Sequence, residues 1–239
     1  DIASNVQDDA PDTHTAKIAY GMNLYGGSSF ELDSASALSI TVNEGLGTAY
    51  GINLSDSTAN IKGNATIAAV GKEAGYSLKL DSEASASFSG ASNTLTGDAS
   101  VANTSKLTFA NGKTTLNGDL TFDANSSVAA QNAVLQLNGK MTQEGTAAAG
   151  SGLTLTNSTL TVSDAVSLLN FTADGATILY TNLDEGTAFT TAASTIKEGG
   201  LTLAGSGALN DSASDAAKLM SEIAKRSTTG SEKTQLANT

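Results

Sequence analysis

Apolar and polar residues alternate in short beats along most of this chain. "LSITV" occupies Leu38–Val42 and "ATIAAV" Ala65–Val70; "FEL" lies at Phe30–Leu32 and "ANI" at Ala59–Ile61. "LTF" follows at Leu107–Phe109 and Leu120–Phe122, "LQL" at Leu135–Leu137, "LTL" at Leu153–Leu155 and Leu201–Leu203, and "LTV" at Leu160–Val162. A period of two is that of a β-strand with one side against a core and one in water. The polar middle residue is usually Thr, Ser or Asn, and threonine combines high β-propensity with tolerance of solvent. Turn signals such as "GGSS", "NEGLG", "ANGK", "NGD" and "ADG" separate the beats.

Strands of three to five residues are too short to stand as isolated hairpins. They become stable when coil stacks on coil and each strand pairs with its equivalents above and below. A longer period supports that arrangement. "AYGMNL" (Ala19–Leu24), "AYGINL" (Ala49–Leu54) and "GYSLKL" (Gly75–Leu80) are near-copies, and "LNG" recurs at Leu116–Gly118 and Leu137–Gly139. Repeats of 20 to 50 residues mark stacked arrays. The pattern therefore predicts an all-β fold, a parallel β-solenoid over 17–210, with rungs about 4.8 Å apart and a rod roughly 40 to 50 Å long. Tyr20, Tyr50 and Tyr76 are expected on successive coils. Gly21 and Gly51 are expected at a bend that needs positive φ or close approach, with Met22, Leu24, Ile52 and Leu54 pointing inward.

The expected interior comprises Leu38, Ile40, Val42, Ile52, Leu54, Ile61, Leu78, Leu80, Leu107, Phe109, Leu120, Phe122, Leu135, Leu137, Leu153, Leu155, Leu160 and Val162. Two rivals stay open. Asn111-Gly112 is a good hairpin turn and would suit an antiparallel sandwich or barrel. Richness in Ser, Gly and Asn also marks disorder, although 39% hydrophobic and only 15% charged residues weigh against it.

Residues 1–16 read as a loose N-terminal segment. The stretch Asn210–Arg226 reads as a short C-terminal helix: Ser212 and Asp215 form a capping box, and Ala216, Leu219, Met220 and Ile223 fall on one face. Lys225 and Arg226 suit its negative end. Residues 211–226 are then either a cap on the last rung or a linker to a further domain, and 227–239 a frayed tail. "DIASNVQDDAPD" has neither the basic end nor the apolar run of a signal peptide, and no stretch of about 18 apolar residues predicts a membrane helix. The missing initiator methionine suggests a processed or excised piece.

Charge narrows the partners. Twelve Lys and Arg against 24 Asp and Glu leave a formal charge of −12. That sign repels phosphate backbones and anionic lipids, so neither nucleic-acid binding nor membrane insertion by this piece is expected. The acids are scattered singly, as solvated groups on a soluble surface are.

Candidate chemistry is thin. There is no cysteine, which fits a cytosolic chain and equally one exported by a route that disulfides would obstruct. The single histidine, His14, sits in the polar stretch "DTHTAK", an unpromising place for a Ser-His-Asp arrangement. Zinc sites need more His or Cys than exist here, and no phosphate-binding loop appears. "NLDEG" at Asn182–Gly186 could hold calcium only weakly. Asp81, Glu83, Asp98, Asp119 and Asp123 lie at turns, where neighbouring rungs could bring two carboxylates together as glycan-cleaving enzymes require. Against that, the only arginine, Arg226, is in the tail, and no long insertions would wall a cleft. The triplets at Asn64, Asn103, Asn125, Asn157 and Asn170 match the glycan-acceptor pattern, as chance predicts in so Asn-, Ser- and Thr-rich a chain. No cofactor is expected.

With the beats laid out in this way, the chain resembles the passenger region of Gram-negative autotransporters. The "AYGINL" beats, the LxL strands and "GGLTLAGSGALN" at Gly199–Asn210 carry the resemblance over roughly 17–210. It implies a right-handed parallel β-helix exported through an outer-membrane barrel that this sequence lacks. It also implies a place at the cell surface or in the medium, and adhesion to host or neighbouring-cell glycans or proteins, or self-association. Outward residues such as Thr108, Thr121, Gln136 and Thr154 are then the candidate contact wall, each contact weak and multiplied by repetition. A β-helical polysaccharide lyase or hydrolase is the alternative, recognisable by a clustered acidic and basic groove.

Overall fold

A computed structural model describes residues 2–6, 18–146, 148, 150–181, 189–205 and 234–238. Among them the chain forms twenty-four strands, numbered β1 to β24 in chain order, and no helix. Every pairing between strands is parallel, so the antiparallel rival is excluded. The fold is a right-handed parallel β-helix with three faces per coil.

Face one stacks β2 (Ile18–Tyr25), β5 (Thr48–Ser55), β8 (Ala74–Asp81), β11 (Asp98–Val101), β14 (Leu120–Asp123), β17 (Met141–Glu144), the start of β20 (Val166–Asp174) and that of β22 (Phe189–Ile196). Face two stacks β3 (Ser29–Leu32), β6 (Thr58–Ile61), β9 (Ser85–Phe88), β12 (Lys106–Ala110), β15 (Ser127–Gln131) and β18 (Gly152–Thr156), then the ends of β20 and β22. Face three is a ten-stranded sheet. It runs from β1 (Ile2–Val6) through β4 (Ala37–Glu44), β7 (Asn64–Gly71), β10 (Ser92–Thr96), β13 (Lys113–Asn117), β16 (Val134–Leu137), β19 (Thr159–Val162), β21 (Ala176–Tyr180) and β23 (Leu201–Gly205) to β24 (Thr234–Asn238). Its nine rung spacings of about 4.8 Å give a length of about 43 Å.

In-register stacking turns the sequence pattern into ladders. Ile40, Ile67, Leu95, Leu116, Leu137 and Val162 form one on face three, all fully buried. Leu32, Ile61, Phe88, Phe109, Ala130 and Leu155 form another on face two, with the Phe88 and Phe109 rings stacked 6.0 Å apart. Where Phe122 enters from face one, face two of the same coil carries Val128 and Ala130 inward in place of the Leu107 and Phe109 of the coil before. All eighteen residues expected inside are buried.

The tyrosine copies pair in register, Tyr20 with Tyr50 and Tyr50 with Tyr76. They differ from expectation in one respect: they lie within strands, not at a bend. In β5, Gly51 and Ile52 are both buried, which breaks the alternation as a bulge does. Pairing with β11 slips by one residue between Asp98 and Ala99 because β8 carries the same extra residue, Ser77, and β11 does not. The Ser77 hydroxyl donates to the carbonyls of Gly97 and Asp98, at 3.0 and 3.1 Å, across that slip. Gly21 and Gly51 are required by close approach, not by positive φ: a Cβ on Gly51 would lie 2.7 Å from the Ser77 carbonyl oxygen. The "LNG" repeat has the same cause, since a Cβ on Gly139 would lie 2.3 Å from the Gly118 carbonyl oxygen on the rung above.

Corners are made by residues in the left-handed region. Asn111, Asn132 and Asn157 (φ 56°, 50° and 46°) turn the chain from face two to face three on successive coils. Asparagine tolerates this conformation better than other side chains. Asn111-Gly112 is therefore a corner between parallel sheets and not a hairpin.

Ile2–Val6, placed in a loose N-terminal segment, pairs with β4, and Thr234–Asn238, placed in a frayed tail, pairs with β23. The helix expected over Asn210–Arg226, with Ala216, Leu219, Met220 and Ile223, lies outside the described residues, as do Lys225, Arg226, His14 and Asn182–Gly186.

Phe109→Ala should lower the free energy of unfolding by about 3 to 5 kcal/mol in urea titrations, because its ring is buried in a ladder that cannot collapse locally. Thr108→Ala, the adjacent outward residue, should change it by about 0.5 kcal/mol or less. Equal losses would contradict the inward assignment of Phe109.

Candidate functional site

The outward side of each face is a polar ladder. On face one it runs Asn23, Asn53, Lys79, Ser100, Thr121, Thr142 and Ser167. On face two it runs Glu31, Asn60, Ser87, Thr108, Ala129, Thr154 and Thr172. On face three it runs Ser39, Thr66, Thr94, Thr115, Gln136 and Thr161. The four residues proposed as one contact wall are thus divided. Thr108 and Thr154 share face two, two rungs apart, while Thr121 is on face one and Gln136 on face three. All four are half-buried. The structure contains three narrow polar stripes in place of one wall.

Side-chain amides connect neighbouring rungs. Asn53 Nδ2 donates to Asn23 Oδ1 at 2.8 Å, and Asn138 Nδ2 to Asn117 Oδ1 at 2.8 Å. Gln136 Nε2 donates to Asn138 Oδ1 at 3.3 Å, so Gln136 is partly occupied within the ladder. Of the glycan-acceptor triplets, Asn64 accepts from the Ser92 N–H at 3.0 Å and Asn170 donates to the Ala148 carbonyl at 2.9 Å. These asparagines serve the stack.

The five candidate carboxylates fall at two different corners. Asp98 and Asp119 lie between faces three and one, where Asp98 Oδ1 accepts the Asp119 N–H at 2.9 Å and Asp119 Oδ1 the Lys140 N–H at 2.8 Å. Asp81, Glu83 and Asp123 lie between faces one and two. There Asn103 joins two of them: its Nδ2 donates to Asp81 Oδ1 and its backbone N–H to Asp123 Oδ2, both at 2.6 Å. Asp56, Ser82, Glu83, Asn103, Thr104 and Asn125 line a shallow, open depression at this corner. The chain reaches it through residues with positive φ, from 48° at Asp56 to 64° at Glu83 and Thr104.

Burial, the largest single influence on Asp123, raises its pKa. Hydrogen bonds from the Ser126 side chain and from the N–H groups of Asn103, Asn125 and Ser126 together outweigh it, and the carboxyl ends below its ordinary value. Asp123 is therefore a charged cap for the corner backbone. A general acid would need the opposite shift. Among the described residues, no three His, Asp or Glu side chains are grouped as a metal would require.

A different surface stands out on face one. The rings of Tyr20, Tyr50 and Tyr76 stack in a continuous column, with centroids 5.1 and 5.4 Å apart, and Lys79 Nζ lies 5.3 Å from the Tyr76 ring centre. Burial, followed by the neighbouring phenols of Tyr20 and Tyr76, raises the pKa of Tyr50. The sequence repeat reveals this column. It does not reveal that Ile18, Leu46 and Val70 are exposed, because the first two sit at a strand start and in a turn and the third ends an apolar run.

No protein-family model, no curated protein and no solved structure matches this chain.

The Asp123 hydrogen bonds set a pH test. A carboxyl with a lowered folded-state pKa contributes stability above its unfolded value, near 3.8, and loses it as pH falls through the folded value. Asp123→Ala should therefore cost about 1 kcal/mol at pH 7, the scale of the hydrogen bonds removed. The gap between variant and parent melting curves should narrow below pH 4. A gap independent of pH would mean that charge at Asp123 plays no part.

Proposed function

We propose that this β-helix is a non-enzymatic adhesive or self-associating module. It would be displayed at a cell surface or released from it, in the manner of the autotransporter passengers whose repeat texture it resembles. The observation that carries the reading is the disposition of polar groups. Each of the three faces carries an outward ladder made mostly of Ser, Thr and Asn at rung spacing, suited to many weak contacts with glycans, matrix proteins or a like surface. Asp98, Asp119 and Asp123 lie at corners, where backbone N–H groups occupy them. Partners are host or neighbouring-cell glycans or proteins, or another copy. The surface of net negative charge disfavours nucleic acids and anionic lipids.

A polysaccharide lyase or hydrolase remains the second reading, favoured by one observation. The depression at the corner of faces one and two gathers Asp56 and Glu83 with the hydroxyls of Ser82 and Thr104, and β-helices host such chemistry as readily as adhesion.

The test is display of the chain on a non-adherent cell, scored for clumping and for binding to glycan- and protein-coated surfaces. Clumping or binding above empty-display controls is the expected result. Thr108→Lys with Thr154→Lys, Thr121→Lys, and Gln136→Lys then probe faces two, one and three separately. A loss confined to one set locates the contact, and indifference to all three moves it off the polar stripes. Release of unsaturated or reducing sugars from a polyuronide by the purified chain would overturn the adhesive reading.

A further inference from the structure

Asn64, Asn103, Asn125, Asn157 and Asn170 each head an Asn-x-Ser/Thr triplet, and along the sequence they are equivalent. The fold separates them. Transfer of a sugar to asparagine needs a free side-chain nitrogen and an accessible hydroxyl two residues on. Asn170 is committed, since its Nδ2 donates to the Ala148 carbonyl at 2.9 Å. Asn103 is committed twice over: its Nδ2 donates to Asp81 Oδ1 at 2.6 Å, and the hydroxyl of its triplet, on Ser105, is fully buried. Asn64 opens β7 inside the sheet of face three, with its Oδ1 held by the Ser92 N–H at 3.0 Å. Asn157 lies against the next corner, where a Cβ on Gly175 would be 2.6 Å from its Oδ1.

Asn125 differs on each count. It stands exposed in the turn between β14 and β15, and its side-chain amide hydrogen-bonds to no described residue. Ser127, which completes the triplet, points outward from the start of β15. The backbone beneath is fixed, because the Asn125 N–H donates to Asp123 Oδ1 at 3.0 Å. The residue also forms one end of the open depression lined by Asp56, Ser82, Glu83, Asn103 and Thr104. Asp56, Glu83, Thr104 and Asn125 each precede by two residues one ladder of face two, Thr58, Ser85, Lys106 and Ser127. They therefore follow one another along the corner, one per coil, over three rung spacings, about 14 Å. The depression is a short trough that leads away from the Asn125 amide.

We propose that Asn125 accepts an N-linked glycan, uncharged in its first sugars, that lies along this corner. In the transfer, Asn125 Nδ2 attacks the anomeric carbon of a sugar held as a phosphate ester on a nucleotide or a lipid. The N–C bond forms as the C–O bond to phosphate breaks. The phosphate leaves with the electron pair, and Nδ2 gives up one proton to a base of the transferase. The walls select the class of sugar. The Asp56 and Glu83 carboxylates accept from sugar hydroxyls and repel an acidic sugar. No aromatic ring and no cation lines the trough, so a free saccharide would be held weakly. A covalent link through Asn125 supplies the effective concentration that these contacts lack. The inference is independent of the adhesive reading, and it covers Asp56 and Glu83, the acids that the second reading needs.

The purified, folded chain is offered to a soluble N-glycosyltransferase with a UDP-hexose and to a membrane transferase with a lipid-linked oligosaccharide; the two arms distinguish the donors. Trypsin separates the triplets. Cleavage after lysine leaves Asn125 alone on 114–140, Asn64 on 63–72, Asn103 on 80–106, and Asn157 with Asn170 on 141–197. In at least one arm the sugar mass should appear on 114–140 at roughly tenfold or more the yield of the other three peptides, because the other amides must first be released from the stack. Asn125→Gln and Ser127→Ala should each abolish it and leave the melting curve unchanged. Short peptides bearing the five triplets, free of the fold, should react to within a few-fold of one another. A folded chain that stays unmodified in both arms, equal yields on 80–106 or 141–197, a mass gain on 114–140 that survives Asn125→Gln, or the same preference among the free peptides would each overturn the proposal.

Discussion

Everything in this molecule depends on the parallel, in-register pairing of each strand with its equivalent one coil away. That pairing satisfies the backbone and places like beside like: each inward side chain rests on the residue at the same position above and below. A position is then judged by its ladder more than by its sequence neighbours. This is why strands of four or five residues suffice. β12 alone would bury little, but between β9 and β15 it puts Leu107 and Phe109 into a core that runs the length of the rod.

The same constraint governs the exceptions. Asn93 and Thr114 occupy an inward ladder otherwise filled by Leu38, Ala65, Leu135 and Leu160. An unpaired amide there would cost several kcal/mol. Asn93 avoids this by accepting the Ala65 N–H at 3.1 Å and donating to the Gly90 carbonyl at 3.2 Å and to Thr114 Oγ1 at 3.3 Å. The two polar residues are neighbours in the ladder because each makes the other tolerable. Gln143 solves a similar problem where β20 follows a different path: its Oε1 accepts the N–H groups of Leu169 and Asn170, at 3.0 and 2.9 Å.

These rules explain what could be read from sequence. Alternation of Leu, Ile and Phe with Thr reports inward and outward sides directly, and the Tyr-Gly copies report register. Hence the parallel solenoid and its apolar core were legible. Asn93 and Thr114 were not, because a buried polar ladder looks in one dimension like another outward stripe. The placing of the wall residues on three different faces was hidden for a related reason. Thr108, Thr121 and Gln136 each follow an inward residue, but which face a beat occupies depends on how many corners precede it, and beats of similar length carry no face label. The strand at Ile2–Val6 was hidden in "DIASNVQDD", where only Ile2 and Val6 are strongly apolar; its pairing is supplied by the edge of β4, not by its own pattern.

A stacked fold also separates its chemistry by geometry. Acids stacked on a face would stand about 4.8 Å apart, and like charges directly opposed destabilise a sheet; Glu31, the one acid in the three outward ladders described, has Asn60 as its ladder neighbour and pairs with Lys62. Carboxylates therefore concentrate at corners, where turn backbone offers N–H donors to neutralise them, as Asn103 and Asn125 do for Asp123. Aromatic rings have the reverse preference, since repetition at rung spacing is near their stacking distance. Tyr20, Tyr50 and Tyr76 form a column because the repeat that builds the coil also brings their rings together.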